Sequence, residues 1–345
     1  MAVRRCTGGM KRIGVLLVVA LSACASASSQ PPPADPAPVS AAPPVSGVAV
    51  VETTDGLAGV GVGPGTKAGP RWSYGNAAAA PDGSAVFAAE GTARVPVRMV
   101  YRVDPRTGHI DGVWTVAGSP RVDAAAPDGR WVALTERSPD SDTTVLTVLD
   151  PATGESRRHR LQGDVEAEAF TVDGDHLFVI RHLAHHYRVE LVTVATGEQQ
   201  QTLSRDKKPG ADMTGGRVAA VLSPDRSVLA TLYRNPAGTA GHPGHVGSSP
   251  AFVHLADLQH GWTYCVDLPA PFGTGPAGDD VIVADGTDVV VGATAAGRVA
   301  RIDAASVHST EVFRPVGFTV GEGTVAGPPP VIGVETVDRV VAVLQ

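Results

Sequence analysis

Three observations predict an all-β chain folded as a β-propeller: six turns of the Pro-Asp-Gly type, each leading into an apolar strand, six turns of the Asp-Pro-x-Thr-Gly type, and a strict alternation of the two. Six blades is the expected count, with seven as the alternative, and half-blades from the two ends are expected to close the ring. Composition agrees with this. The 345 residues are 43% hydrophobic and 18% charged, enough for a sizeable core, while 40 Gly and 28 Pro without a collagen period make turns frequent and leave little room for long helices. The propeller is expected over residues 48–345, behind a signal peptide (1–23) and a linker (24–47).

Residues 1–12 carry Arg4, Arg5, Lys11 and Arg12, and the apolar run 13–21 follows directly. About nine apolar residues are too few to span a bilayer, which takes roughly 20, but they suit the core of a signal peptide. The run ends in Leu21-Ser22-Ala23-Cys24, which resembles the lipobox of bacterial lipoproteins. That resemblance implies cleavage before Cys24, a diacylglycerol anchor on that cysteine with palmitate as an acyl group, and a place on the extracytoplasmic face of the cell membrane. Cleavage removes four basic residues and no acid, taking the formal net charge from −7 to −11 and arguing against nucleic acid as a partner. Between positions 25 and 47, 18 of 23 residues are Ala, Ser or Pro, a composition that buries no core and reads as a disordered tether.

Of three cysteines, Cys6 departs with the signal and Cys24 takes the lipid, so Cys265 is expected to be the single thiol of the folded part. An intrachain disulfide and a Cys-rich zinc site are thereby excluded. Cys265 sits in the strand-like run Trp262-Thr263-Tyr264-Cys265-Val266 and is expected to pack in the core.

The first turn series comprises Pro81-Asp82-Gly83, Pro127-Asp128-Gly129, Val172-Asp173-Gly174, Pro224-Asp225-Arg226, Ala284-Asp285-Gly286 and Val337-Asp338-Arg339. The second begins at Glu52, Asp104, Asp150, Thr193, Asp257 and Asp303, in steps of 43 to 64 residues, each long enough for one four-stranded blade. Asp accepts turn amides, Pro presets φ, and Gly takes the left-handed position, so both series are structural punctuation. The first series should join the first and second strands of a blade, and the second the third and fourth. The chain then starts with a third strand (48–51) and a fourth, and finishes with a first (331–334) and a second (340–344).

These turns, over residues 48–345, resemble those of the YVTN and TolB-like β-propellers of bacterial envelope proteins. The resemblance implies the fold and says little of activity. The chain departs from the related WD40 pattern in having no Trp-Asp strand ends.

Catalytic motifs are missing. There is no Gly-x-Ser-x-Gly elbow and no His-Glu-x-x-His pair. Gly61-Val62-Gly63-Pro64-Gly65-Thr66-Lys67 lacks the Gly-Lys-Ser/Thr of a phosphate loop, and Gly321-Glu322-Gly323-Thr324-Val325-Ala326 runs into Pro328-Pro329-Pro330 where a dinucleotide site needs a helix. No catalytic residue and no organic cofactor is expected. Five imidazoles nevertheless fall on two neighbouring loops of one rim: His182, His185 and His186 in the third blade, and His242 and His245 in the long 233–250 insertion of the fourth. They offer a site for Zn²⁺ or a similar ion, set against the alternative of a polar surface insertion.

Two functional readings remain. The favoured one is a monomeric, lipid-anchored binding or scaffold module that takes a protein, peptide or glycan on a propeller face without turnover. The other is an enzyme of lactonase or quinoprotein type working in the central channel. Carboxylates on the first strands would distinguish them, and residues 76–80, 123–126, 217–222 and 281–284 read as largely apolar, which favours binding.

Overall fold

The computed structural model describes residues 47–53, 56–62, 71–72, 74–90, 94–105, 107–138, 142–184, 186–204, 212–235, 249–276, 278–308, 316, 318–323, 325 and 339–344. Cys24 and the 331–334 segment lie outside them. Three strands come first: β1 (Gly47–Thr53), β2 (Gly56–Val62) and β3 (Arg71–Trp72). Blade one is β4 (Tyr74–Ala79), β5 (Val86–Glu90), β6 (Val97–Val103) and β7 (Ile110–Ala117). Blade two is β8 (Arg121–Ala125), β9 (Val132–Arg137), β10 (Thr143–Leu149) and β11 (Ser156–Gln162). Blade three is β12 (Asp164–Phe170), β13 (His176–His182), β14 (Tyr187–Thr193) and β15 (Gln199–Gln201), followed by the short β16 (Leu203–Ser204). Blade four is β17 (Gly216–Leu222), β18 (Val228–Arg234), β19 (Ala251–Asp257) and β20 (Trp262–Leu268). Blade five is β21 (Asp280–Asp285), β22 (Asp288–Ala293), β23 (Arg298–Asp303) and β24 (Phe318–Glu322), and the last strand is β25 (Arg339–Leu344).

The sixth sheet runs β25-β1-β2-β3, so the two ends of the chain meet in one blade. Val48 lies opposite Leu344 and Glu52 opposite Arg339 across the antiparallel seam. The expected count of six blades is met. The composition of the closing sheet differs in detail: β3, two residues just ahead of the first strand of blade one, adds a third strand from the amino-terminal side. The sequence hides it because Arg71-Trp72 is too short to show an alternation.

Each interior blade is apolar on both faces. In blade two, Val122, Val132, Leu134 and Leu149 pack with Phe87 and Val100 of blade one, while Ala124, Trp131, Leu146 and Leu161 pack with Phe170, Leu177 and Val192 of blade three. Phe178, Ile180 and Tyr187 of blade three meet Leu229, Tyr233 and Phe252 of blade four, which in turn sets Leu232, Leu255 and Val266 against Ile282, Val289 and Ile302 of blade five. Successive side chains point to opposite faces of a strand, so a sheet buried on both sides needs a continuous apolar run; every residue of β19 is buried. Each large side chain removed from water in these seams contributes about 1.5–3 kcal/mol. The outer strands are the polar ones, as in β11, where Arg157, Arg158 and Arg160 give the sheet edge charges that discourage pairing with another chain. Blade four is covered differently, by β16 running parallel to its outer strand β20.

The turns behave as their sequences require. Asp82, Asp128, Asp173 and Asp225 each accept the backbone N–H two residues on, at 2.9–3.2 Å, between first and second strands. Between third and fourth strands, Asp150 and Asp257 likewise accept the backbone N–H two residues on, and Asp104 accepts that of Thr107, three residues on. No helix among the described residues is long and apolar enough to cross a membrane.

Candidate functional site

The first strands of blades one, two and three lie side by side, as do those of blades four and five, and four of these five strands carry a one-residue β-bulge. Register breaks between Tyr74 and Asn76 in β4, Val122 and Ala124 in β8, Ala167 and Ala169 in β12, and Arg217 and Ala219 in β17. The residues left without a cross-strand partner in β8 and β12 are Asp123 and Glu168. A bulge bends its strand and re-aims the extra side chain, so two carboxylates turn out of the apolar seams that their neighbours fill.

Both side chains are 1% exposed. Asp123 accepts the Thr135 hydroxyl through Oδ2, and its Oδ1 lies 3.2 Å from Arg121 Nη2, close enough for charge attraction but without a hydrogen bond. Glu168 accepts the Thr231 hydroxyl of blade four at 3.2 Å through Oε1, which lies 4.0 Å from Arg217 Nη1, while its Oε2 has no partner. Asn76, buried on β4, leaves both amide atoms unpaired.

More open groups surround this buried base. Arg121 also approaches Glu166 Oε1, at 3.8 Å, and Glu166 Oε2 meets His182 Nε2 at 3.4 Å. Burial pushes the Asp123 carboxyl up to about 6, against the pull of Arg121 and Thr135. Burial likewise raises Glu168. Glu166 moves the other way: its hydrogen bond with His182 lowers it, and the same bond raises His182. Burial depresses the Arg217 guanidinium more than any one neighbour raises it, but Glu168, Tyr233, Glu166 and Tyr187 together outweigh it and the net shift is upward. The arrangement therefore places one carboxyl inclined to hold a proton beside one inclined to stay ionised, with a shared guanidinium between them. Such a set can accept hydrogen bonds from a ligand's hydroxyl or ammonium groups, and it can also relay a proton.

This corrects the expectation of a largely apolar axis. The segments 76–80, 123–126, 217–222 and 281–284 did not include β12, whose Asp164-Val165-Glu166-Ala167-Glu168-Ala169 alternates acid with apolar residue and so looks like a strand with one solvated face. The topology makes it a first strand, and Glu166 and Glu168 meet Arg121 of blade two and Arg217 of blade four.

Of the five rim histidines, His182 and His186 fall within the described residues and meet different carboxylates, His182 at Glu166 and His186 Nε2 at Asp212, 3.1 Å away. His185, His242 and His245 lie outside the described residues. Cys265 is buried on β20 outside any disulfide, its Sγ 3.9 Å from Met213 Sδ, in keeping with a packing role. Another group of metal-type donors, Asp257, His260 and His308, gathers away from the axis, at the turns of blades four and five. A cleft of about 310 Å³ between blades one and two is bordered by Phe87, Arg102, Asp111, Trp114, Asp128 and Pro151; it is separate from the carboxylate cluster.

No family model matches the chain, and no curated protein matches it either. Solved structures similar to it include TolB from Acinetobacter baumannii, at 14% identity over 82% of this chain and 65% of that one, with a TM-score of 0.40. An oligogalacturonate lyase in complex with manganese is similar at 15% identity over 73% of this chain and 70% of that one, with a TM-score of 0.46. The β-propeller domain of the trilobed protease from Pyrococcus furiosus follows at 8% identity over 72% and 68% of the two chains, with a TM-score of 0.37. The propeller assignment itself rests on the strand order described above.

Proposed function

We propose that this chain is a lipoprotein held on the extracytoplasmic face of the cell membrane through Cys24, and that its propeller binds a protein, peptide or glycan without turning it over. The supporting observation is the graded polar cluster of β8, β12, β13 and β17: partly exposed Arg121, Glu166, His182 and Arg217 around buried Asp123 and Glu168. A ligand group carrying hydrogen-bond donors would reach Glu166 first and Asp123 behind it. The acidic charge left after signal removal suits a basic or uncharged ligand better than nucleic acid.

Binding of the purified lipoprotein to glycan and peptide arrays, followed by titration calorimetry of the hits, tests this reading. Arg121→Ala and Glu166→Gln should each weaken a true axial ligand at least tenfold; unchanged affinity in both places the interaction elsewhere. Cys24→Ser should release the protein from membranes, and retention of this variant would refute the anchor.

A second reading uses the same cluster as an active site, with Asp123 as general acid and Glu166 as base. The presence of carboxylates on the first strands β8 and β12, and the opposed shifts of these two carboxyls, favour it. Turnover in a broad hydrolase and lyase screen that disappears in Asp123→Asn would replace the binding reading with this one.

A further inference from the structure

Asp257, His260 and His308 converge where the β19–β20 turn of blade four meets the 3-10 turn Ala304–His308 of blade five. The Asp257 side chain is fully buried, and its Oδ1 is occupied by the backbone N–H groups of Gln259 and His260 at 2.9 and 3.0 Å. Its Oδ2 faces two ring nitrogens, His260 Nδ1 at 2.9 Å and His308 Nδ1 at 3.0 Å.

Proton counting around His308 is informative. Asp225 Oδ2 accepts the single hydroxyl proton of Ser227 at 2.7 Å. Ser227 Oγ therefore has only lone pairs for His308 Nε2, 2.8 Å away, and the ring must donate from Nε2. In a neutral ring Nδ1 then carries a lone pair. That atom is sealed from solvent, makes no hydrogen bond, and lies 3.0 Å from a carboxylate oxygen. An imidazole lone pair and a carboxylate oxygen held this close in a buried place repel, and a cation bound by both removes the repulsion.

We infer that Asp257 Oδ2, His260 Nδ1 and His308 Nδ1 form a binding site for a divalent transition-metal ion, Zn²⁺ being the best match to two imidazoles and one carboxylate. The three donor atoms lie within 4.8 Å of one another, compatible with bonds of about 2.0–2.2 Å to one ion. The outer contacts are those a metal ligand needs. The chain His308 Nε2–H to Ser227 Oγ to Asp225 fixes the ring's tautomer and orientation, and the Trp262 indole stacks on His260 with ring centres 4.7 Å apart while donating Nε1–H to Val307 O at 3.1 Å. The partly exposed His260 leaves an open side from which the ion can enter. An ion held there ties blade four, which supplies Asp257 and His260, to blade five, which supplies His308.

The site is distinct from the histidine rim, and the experiment separates the two. Metal-free full-length lipoprotein in detergent is titrated with Zn²⁺ by calorimetry and with Co²⁺ by visible absorption, with thermal melting recorded in parallel. One tight equivalent, a Co²⁺ spectrum of tetrahedral type and a rise in melting temperature are expected. His308→Ala and His260→Ala should each weaken that equivalent by at least tenfold, Ser227→Ala by about 10–100-fold through loss of the orienting contact, and His242→Ala/His245→Ala should leave it unchanged. His260 is partly exposed, so His260→Ala keeps the test valid if His308→Ala fails to fold. Equal binding by wild type and His260→Ala would overturn the proposal. So would ¹⁵N spectra showing both His308 ring nitrogens protonated and insensitive to Zn²⁺, because a doubly protonated ring also removes the repulsion.

Discussion

Glu168 accepts the hydroxyl of Thr231 at 3.2 Å, so a buried carboxylate of blade three is held by a side chain of blade four. The compensating charge, Arg217, comes from blade four as well. Removing that charge while keeping the bulk, as in Arg217→Met, should destabilise the protein by about 2 kcal/mol, because the acid is left buried with a single hydrogen bond. Adding Glu168→Gln to the same protein should restore most of the loss. Melting temperatures of the two single variants and the double variant measure the coupling, and strict additivity would mean that the two groups do not interact.

Asp123 gives the stability curve a definite sign. Its folded value of about 6 stands above the ordinary 3.8, so between these values the folded chain holds more protons than the unfolded one. The contribution is fully present below pH 3.8 and is lost as pH rises through 6, in all about 3 kcal/mol. Asp123→Asn should match the wild type near pH 4, exceed it near pH 8, and flatten the curve between. Glu166, shifted downward, acts in the opposite sense, stabilising above its unfolded value and losing that effect as acid protonates it. Melting temperature against pH for both proteins provides the comparison.

Arg226 adopts φ 60° at the turn position where Gly83, Gly129 and Gly174 adopt 69°, 70° and 71°. A side chain pays a steric penalty in this left-handed region that glycine avoids. Arg226→Gly should therefore stabilise the fold by about 0.5–1 kcal/mol, read as a raised melting temperature. A fall would show that the arginine makes a contact worth more than the strain.

Deleting residues 340–345 removes nearly all of β25, the strand that pairs with β1. The truncated chain should melt well below the full one. Unchanged melting would mean that the sixth sheet does not need this seam.

The blades were readable because the same Asp-centred turns recur beside apolar strands, and each turn's chemistry is local: a carboxylate two residues from the amide it binds. The axis cluster was not readable, since whether the acids of β12 meet water or Arg121 and Arg217 depends on which strand comes first in its blade, and bulges shift the alternation at Asp123 and Glu168. The Asp257 group was hidden for a related reason. Asp257 and His260 are three apart and visible as a pair, but His308 arrives from the next blade, and Ser227, which orients it, from a turn of the other series.

The shared terminal sheet also sets an order of events during biogenesis. A chain synthesised amino end first presents β1 long before residues 339–344 exist, so one flank of β1 waits unsatisfied while five blades assemble beside it. Throughout that interval its open amides and carbonyls could recruit a strand from another molecule. A chaperone that shields this flank, or rapid completion of the remaining chain, would limit the loss, and the yield of folded protein should depend on the speed of the last step more than on the first.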